Sequence, residues 1–204
     1  MKPTILLSLA LTLAAPQVLP AAPGTHGQDP GLPTQLPATP APVPSTRMVE
    51  VRPGLHVGGL TTYQILMNLR QKGIHTVVHL RPDAEFMSGP ATERVAVELQ
   101  SLRYVHAPVT PDLEDSDLDS FRIAMSTVDF SQGVYMHCFN GNRASGALLT
   151  WLVLDEKMPL EEALVLARKG GLQRLKTENA ARFYISRNGG PAYVEQDAPK
   201  AGMP

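Results

Sequence analysis

From Val49 onward the apolar residues recur in two alternating patterns. β-branched and apolar runs predict strands over Val49 to Val57 (one or two, broken at Pro53-Gly54), Thr76 to Leu80, Tyr104 to Val109 and Val134 to His137. Between them apolar positions return at helical spacing. Ile65, Leu66 and Leu69 mark a helix over Thr61 to Gln71, stopped by Gly73. Further helices are expected over Ala91 to Leu102, from an N-cap at Ser116 to about Val128, and from Arg143 to about Glu156. Two more follow, Leu160 to Lys169 before Gly170-Gly171, and Thr177 to Ser186. Strands alternating with helices predict an α/β fold with a central, mostly parallel sheet flanked by helices. Ligands of such sheets bind beyond the carboxyl ends of strands. Three turns stand there: Arg81-Pro82-Asp83, Thr110-Pro111-Asp112 and the segment after His137.

Before Val49 the pattern is different. Lys2 precedes an apolar run from Thr4 to Ala15 that Pro16 ends, too short for a membrane span and suited to the core of a secretory signal. Pro16 to Ser45 holds nine prolines with almost no charge, a composition that does not bury enough surface to offset its ordering entropy. The organisation expected is a signal peptide over residues 1–24, a Pro-rich linker over 25–46, a folded domain over 47–188 and a flexible tail over 189–204. The protein is then secreted or periplasmic, with no membrane span unless the signal is retained as an anchor. A net charge of −1 gives no support for nucleic-acid binding. A single cysteine allows no internal disulfide and no resolving thiol within the chain.

That cysteine is where the chemistry concentrates. The run His137-Cys138-Phe139-Asn140-Gly141-Asn142-Arg143 lies between an apolar strand and a long apolar helix. A loop entering a helix turns backbone N–H groups toward its own centre, which favours anions and acidifies a thiol. Arg143 adds a guanidinium suited to bidentate recognition of an oxyanion. A thiolate and a positive charge are aimed at one small volume. A buried, inert core thiol is the alternative reading of Cys138 alone.

These residues resemble the signature loop of the cysteine-dependent tyrosine and dual-specificity phosphatases, His-Cys-x5-Arg-Ser/Thr. Here four residues separate Cys138 from Arg143, and Ala144 follows the arginine with Ser145 one place later. The shorter spacing is similar to that of the bacterial beta-lactamase hydrolase-like family, whose members pair it with a strand ending in Leu-Arg-Pro-Asp-x-Glu. Leu80-Arg81-Pro82-Asp83-Ala84-Glu85 stands at the corresponding place, and the resemblance runs over roughly Val49 to Leu172. Rhodanese loops often share the same cysteine-to-arginine spacing.

The resemblance implies the fold of the dual-specificity phosphatases. It implies Cys138 as nucleophile, and a cradle for an anion from Arg143 and the loop residues Phe139, Asn140, Gly141, Asn142 and Ala144. Phosphate cleavage also needs a general acid upstream of the cysteine. Asp112, Asp115 and Asp117 lie 26, 23 and 21 residues before it; Asp112 is the first choice and Asp115 the second. Asp83 is a rival, or a turn residue beside an Arg81–Glu85 pair. His137 is expected to support the loop by hydrogen bonding, with Ser145 as a further supporting residue.

No cofactor and no metal are expected: His75 and His79 fall at and in one strand, which sets them ~13 Å apart. The anionic substrate is a phosphate ester, or a sulfur donor such as thiosulfate if the smaller loop carries a Cys138 persulfide. A silent phospho-ligand binder is the third alternative.

Overall fold

Strands β1 (Met48–Arg52) and β2 (Leu55–Gly58) form a hairpin turned at Pro53-Gly54, where Gly54 takes a φ of 74° that its missing Cβ permits. β3 (Thr76–His79), β4 (Arg103–His106) and β5 (Val134–His137) complete one sheet in the order β1-β2-β5-β3-β4. Only the hairpin is antiparallel. This computed structural model describes residues 45–85 and 91–194. The expected leader and nearly all of the Pro-rich stretch lie outside the described residues, as does most of the tail. Ser45 and Thr46, which sequence composition assigns to that stretch, are described. Ser45 is already bound into the domain: its N–H donates to Phe139 O, and its own carbonyl accepts from Leu60 N–H.

Among the described residues six α-helices cover the sheet: α1 (Tyr63–Asn68), α2 (Ala91–Glu98), α3 (Asp115–Met125), α4 (Asn142–Leu154), α5 (Leu160–Gly170) and α6 (Leu175–Arg187). Successive strand residues face opposite sides, so each strand contributes to two cores. Val78, Val134 and Met136 join the large core of α3 to α6, whereas Val77 and Tyr135 join the smaller one with Leu66 of α1 and Val97 of α2. The alternation carries on past the strand end. His137 falls on the α1/α2 side, and Cys138 falls in the large core on the other.

The α/β class and mostly parallel sheet agree with the sequence pattern, with shorter elements in places. α1 stops at Asn68, and a single 3-10 turn, Arg70–Lys72, fills the space to Gly73. α2 ends at Glu98 instead of Leu102, because the chain reverses at Ser101 (φ 58°) to bring Leu102 into the core before β4. α3 starts one residue before the expected cap, with Glu114 in the N-cap position. Among the described residues no helix is long and apolar enough to cross a membrane.

Candidate functional site

β5 ends at His137, and the four residues after it form a tight loop into α4. Gly141 closes that loop with a φ of 90°. A Cβ there would lie 2.9 Å from Gly170 O, so glycine is required both for the turn and for the close approach of the α5 end. The payoff is electrostatic: Gly141 N–H donates to Cys138 Sγ at 3.3 Å, one loop dipole directed at the sulfur. Asn142 braces the loop from behind. Its Oδ1 accepts from the Gln173 and Arg174 N–H groups (2.9 and 3.0 Å), and its Nδ2 donates to Thr177 Oγ1 at 2.6 Å.

Arg143 is only 8% exposed and held on three sides. Its Nη1 donates to Val109 O (2.9 Å) and to Leu80 O (3.4 Å), the carbonyls just past β4 and β3. Its Nη2 lies 2.8 and 3.1 Å from the two oxygens of Glu85. The remaining donor, Nε–H, is buried without a partner. A buried unpaired donor on a charged group is costly unless a ligand satisfies it. Cys138 and Arg143 line one cavity of about 420 Å³ with Glu85, Pro111, Asn142 and Arg174.

The residues singled out from sequence divide. Phe139, Asn140 and Asn142 line the cavity with Cys138 and Arg143. Gly141 and Ala144 do not; Gly141 contributes its N–H, and Ala144 is buried in the large core. Ser145 is fully buried beside Gly170, with its Oγ lacking a hydrogen bond. Asp112 follows Pro111 at the rim but is 64% exposed and paired with Lys176 at 2.6 Å. Asp115 pairs with Arg187, Asp117 accepts from Thr110 N–H, and Asp83 lies 3.7 Å from His106; none of the three lines the cavity. Arg81 does meet Glu85, at 3.4 Å. The hydrogen bond expected from His137 to the loop is not formed: alternation turns its ring to the other face of the sheet, where neither ring nitrogen has a hydrogen-bond partner.

On that face His137 meets groups that sequence reasoning did not bring together. Its Nε2 lies 2.7 Å from Glu93 Oε1 in α2, and Glu93 Oε1 lies 3.3 Å from His79 Nδ1. Burial pushes the His79 pKa down to about 4, despite the opposing pull of Glu93. For Glu93 burial acts upward, yet the His137 and His79 imidazoles outweigh it and hold the carboxyl far below its usual range. Glu85 and Glu93 are the site-forming residues hardest to find in the sequence. Glu85 has a signal in its motif; Glu93, one acid in an amphipathic helix, has none.

No family model matches the chain. A curated beta-lactamase hydrolase-like protein of Xylella fastidiosa (strain Temecula1) is 26% identical over 165 residues, covering 74% of this chain. The chain spans 38% of the length of that relative. A solved DUF442 protein of Shewanella putrefaciens CN-32, named as a candidate phosphatase, superposes with a TM-score of 0.57 at 22% identity, over 70% of this chain and 93% of that one. A candidate phosphatase of Neisseria meningitidis Z2491 gives a TM-score of 0.53 at 26% identity, over 65% and 96%. The motif pair at Leu80–Glu85 and His137–Arg143 and these likenesses agree. The chain is similar to the beta-lactamase hydrolase-like proteins over about three quarters of its length and has the fold of the tyrosine and dual-specificity phosphatases.

Proposed function

We propose that the domain is a cysteine-dependent phosphatase that hydrolyses phosphate monoesters. The observation that carries this reading is that Cys138 and Arg143 line one cavity, with the Arg143 Nε–H buried and unpartnered. The Cys138 thiolate attacks phosphorus; a P–S bond forms as the ester P–O bond breaks. Arg143 and the loop N–H groups hold the equatorial oxygens, where charge builds in the transition state. Asp112, freed from Lys176 on substrate entry and protonated from solvent, gives that proton to the leaving oxygen. Water then attacks phosphorus and passes a proton to the Asp112 carboxylate, and as the P–S bond breaks the Cys138 thiolate leaves with phosphate free. The leader-like N-terminal run and the Pro-rich stretch after it support an extracytoplasmic location for this reaction.

A second reading has its own support. Glu85 is engaged by Arg143, and Asp112 is exposed and engaged by Lys176, so neither carboxyl is free to act as an acid in the cavity. Sulfur transfer needs no such acid: the Cys138 thiolate takes the outer sulfur of thiosulfate, the S–S bond breaks, sulfite leaves, and a persulfide remains. Intact mass spectrometry separates the two after brief exposure to an aryl phosphate or to thiosulfate, with acid quenching. A phosphate adduct absent from Cys138→Ser is expected. A stable added sulfur with no phosphate adduct or turnover selects sulfur transfer, and turnover retained by Cys138→Ser defeats both. Asp112→Asn should slow phosphate release by about 10²–10⁴-fold for poor leaving groups and far less for aryl esters.

A further inference from the structure

Strands β5, β3 and β4 each end in histidine, and the register sets His137 beside His79 and His79 beside His106. The His79 and His137 rings approach to 4.4 Å between centroids on the α1/α2 face. α2 delivers Glu93 between them, and one ligand atom from each of the three residues lies within 4.8 Å of the others. We propose that His79, Glu93 and His137 bind a divalent transition-metal cation of the zinc type, on the face of the sheet opposite Cys138. The proposal is independent of the phosphatase reading.

Four features of the cluster carry it. The donor set, two imidazoles and one carboxylate, is one that zinc takes in sites that keep an open position. The spacing is close to what such a cation needs. Bonds of about 2.0–2.2 Å in a tetrahedral arrangement put neighbouring ligand atoms about 3.3–3.6 Å apart; the Glu93–His79 and Glu93–His137 separations are 3.3 and 2.7 Å and all three atoms lie within 4.8 Å, so side-chain shifts of under about 1.5 Å complete the fit.

The third feature is orientation. Thr61 Oγ1 donates to Glu93 Oε2 at 2.9 Å, which fixes the carboxylate and turns Oε1 to the imidazoles. One carboxylate oxygen, Glu93 Oε1, thereby faces two imidazole nitrogens at once, His137 Nε2 at 2.7 Å and His79 Nδ1 at 3.3 Å. A cation at this point of convergence would take the place of whatever proton the three groups share in the metal-free chain. The Tyr104 hydroxyl lies 2.9 Å from the same His79 Nδ1, so a cation that takes this nitrogen displaces that hydrogen bond.

The last feature is access. A cavity of about 360 Å³ lined by Thr61, Thr92, Glu93 and His137 leaves room for a water as fourth ligand. Arg81 also reaches this cavity, and it is engaged by Glu85.

The test uses the full chain, stripped with a chelator and titrated with cobalt(II) and then with zinc(II). One equivalent of cobalt should bind with visible d–d bands of a low-coordinate site and no near-ultraviolet thiolate charge-transfer band. Zinc should displace it stoichiometrically. Glu93→Gln should weaken binding by at least the 10–100-fold typical of a lost supporting partner, whereas Cys138→Ser should bind as the wild type does. Wild-type affinity in Glu93→Gln, loss of binding in Cys138→Ser, or a thiolate band would overturn the proposal. If Glu93→Gln loses its far-ultraviolet circular dichroism, the wild-type spectrum decides alone: no uptake at micromolar cobalt refutes the site.

Discussion

His137 and Cys138 are adjacent in the chain, and they belong to two sites of opposite polarity. On the Cys138 side the fold gathers hydrogen donors: Gly141 N–H meets the sulfur, and the Arg143 Nε–H is buried without a partner. On the His137 side it sets a carboxylate among imidazoles: Glu93 Oε1 lies close to His137 Nε2 and His79 Nδ1. One site suits an anion and the other a cation. The pleat of β5 separates them, since consecutive residues of a strand face opposite ways. They also differ in how they are assembled. The anion site is a contiguous loop braced by carbonyls from the ends of β3 and β4; the cation site needs β3, α2 and β5 in register. Sites separated by a sheet in this way should fail independently, and that independence is open to test.

The largest expected effect is on the anion side. Arg143→Lys keeps a charge but loses the planar fork that spans Val109 O, Leu80 O and Glu85. Steady-state kinetics with an aryl phosphate should show kcat/KM reduced by about 10²–10³-fold, the usual cost of one preorganised oxyanion donor. Cobalt uptake should not change. Rates equal to wild type would mean that Arg143 is only a structural cation.

The next effect belongs to the other face and concerns pH. In the metal-free chain His79 has a pKa of about 4, against 6.5 for the free side chain. Between those values the unfolded chain binds a proton that the folded chain does not, so stability falls as pH falls. The loss should reach about 2 kcal/mol by pH 5 and about 3 kcal/mol by pH 4 relative to pH 7. Glu93 acts in the same direction at the acid end of that window: its depressed pKa keeps it ionised in the folded chain, while the unfolded chain begins to protonate it near 4.5. Urea titrations of the chelator-treated chain should show the slope, and His79→Asn should remove most of it. An unchanged slope in that variant would place the proton uptake elsewhere.

The same contrast explains what was legible in the sequence. Cys138, Gly141 and Arg143 lie within six residues, and strand, glycine turn and helix each leave a local mark, so the anion site could be read from pattern alone. The sheet class followed from periodicity for the same reason. Side-chain direction was harder to read. Asp112 holds the expected position after its strand, yet its carboxylate pairs outward with Lys176, a partner 64 residues away. His137 was expected at the loop because it precedes Cys138; alternation sends it to α2 instead. Sequence spacing relates His79 to His75 along one strand, whereas its neighbour across the sheet, His137, lies on the adjacent strand. Cross-strand register is tertiary information, and no local spacing encodes it.

The smallest effect tests the bracing of the anion loop. Asn142 is 7% exposed, and its side chain satisfies the Gln173 and Arg174 N–H groups and meets Thr177 Oγ1. Those contacts hold the α5–α6 connection against the loop, so that Arg174 reaches the cavity. Asn142→Ala leaves two backbone donors with no side-chain acceptor where water has limited access. The expected cost is about 1–3 kcal/mol, read in thermal unfolding at roughly 2–4 °C per kcal/mol for a domain of this size. Because the brace sits behind the nucleophile, kcat should fall along with stability, by about tenfold if the loop loses about 1.4 kcal/mol of preorganisation. The His79–Glu93–His137 cluster shares none of these contacts, so its cobalt affinity should match wild type. A variant that lost stability and cobalt affinity together would show that the two faces are coupled through the β5 end, and the independence argued from the pleat would be wrong.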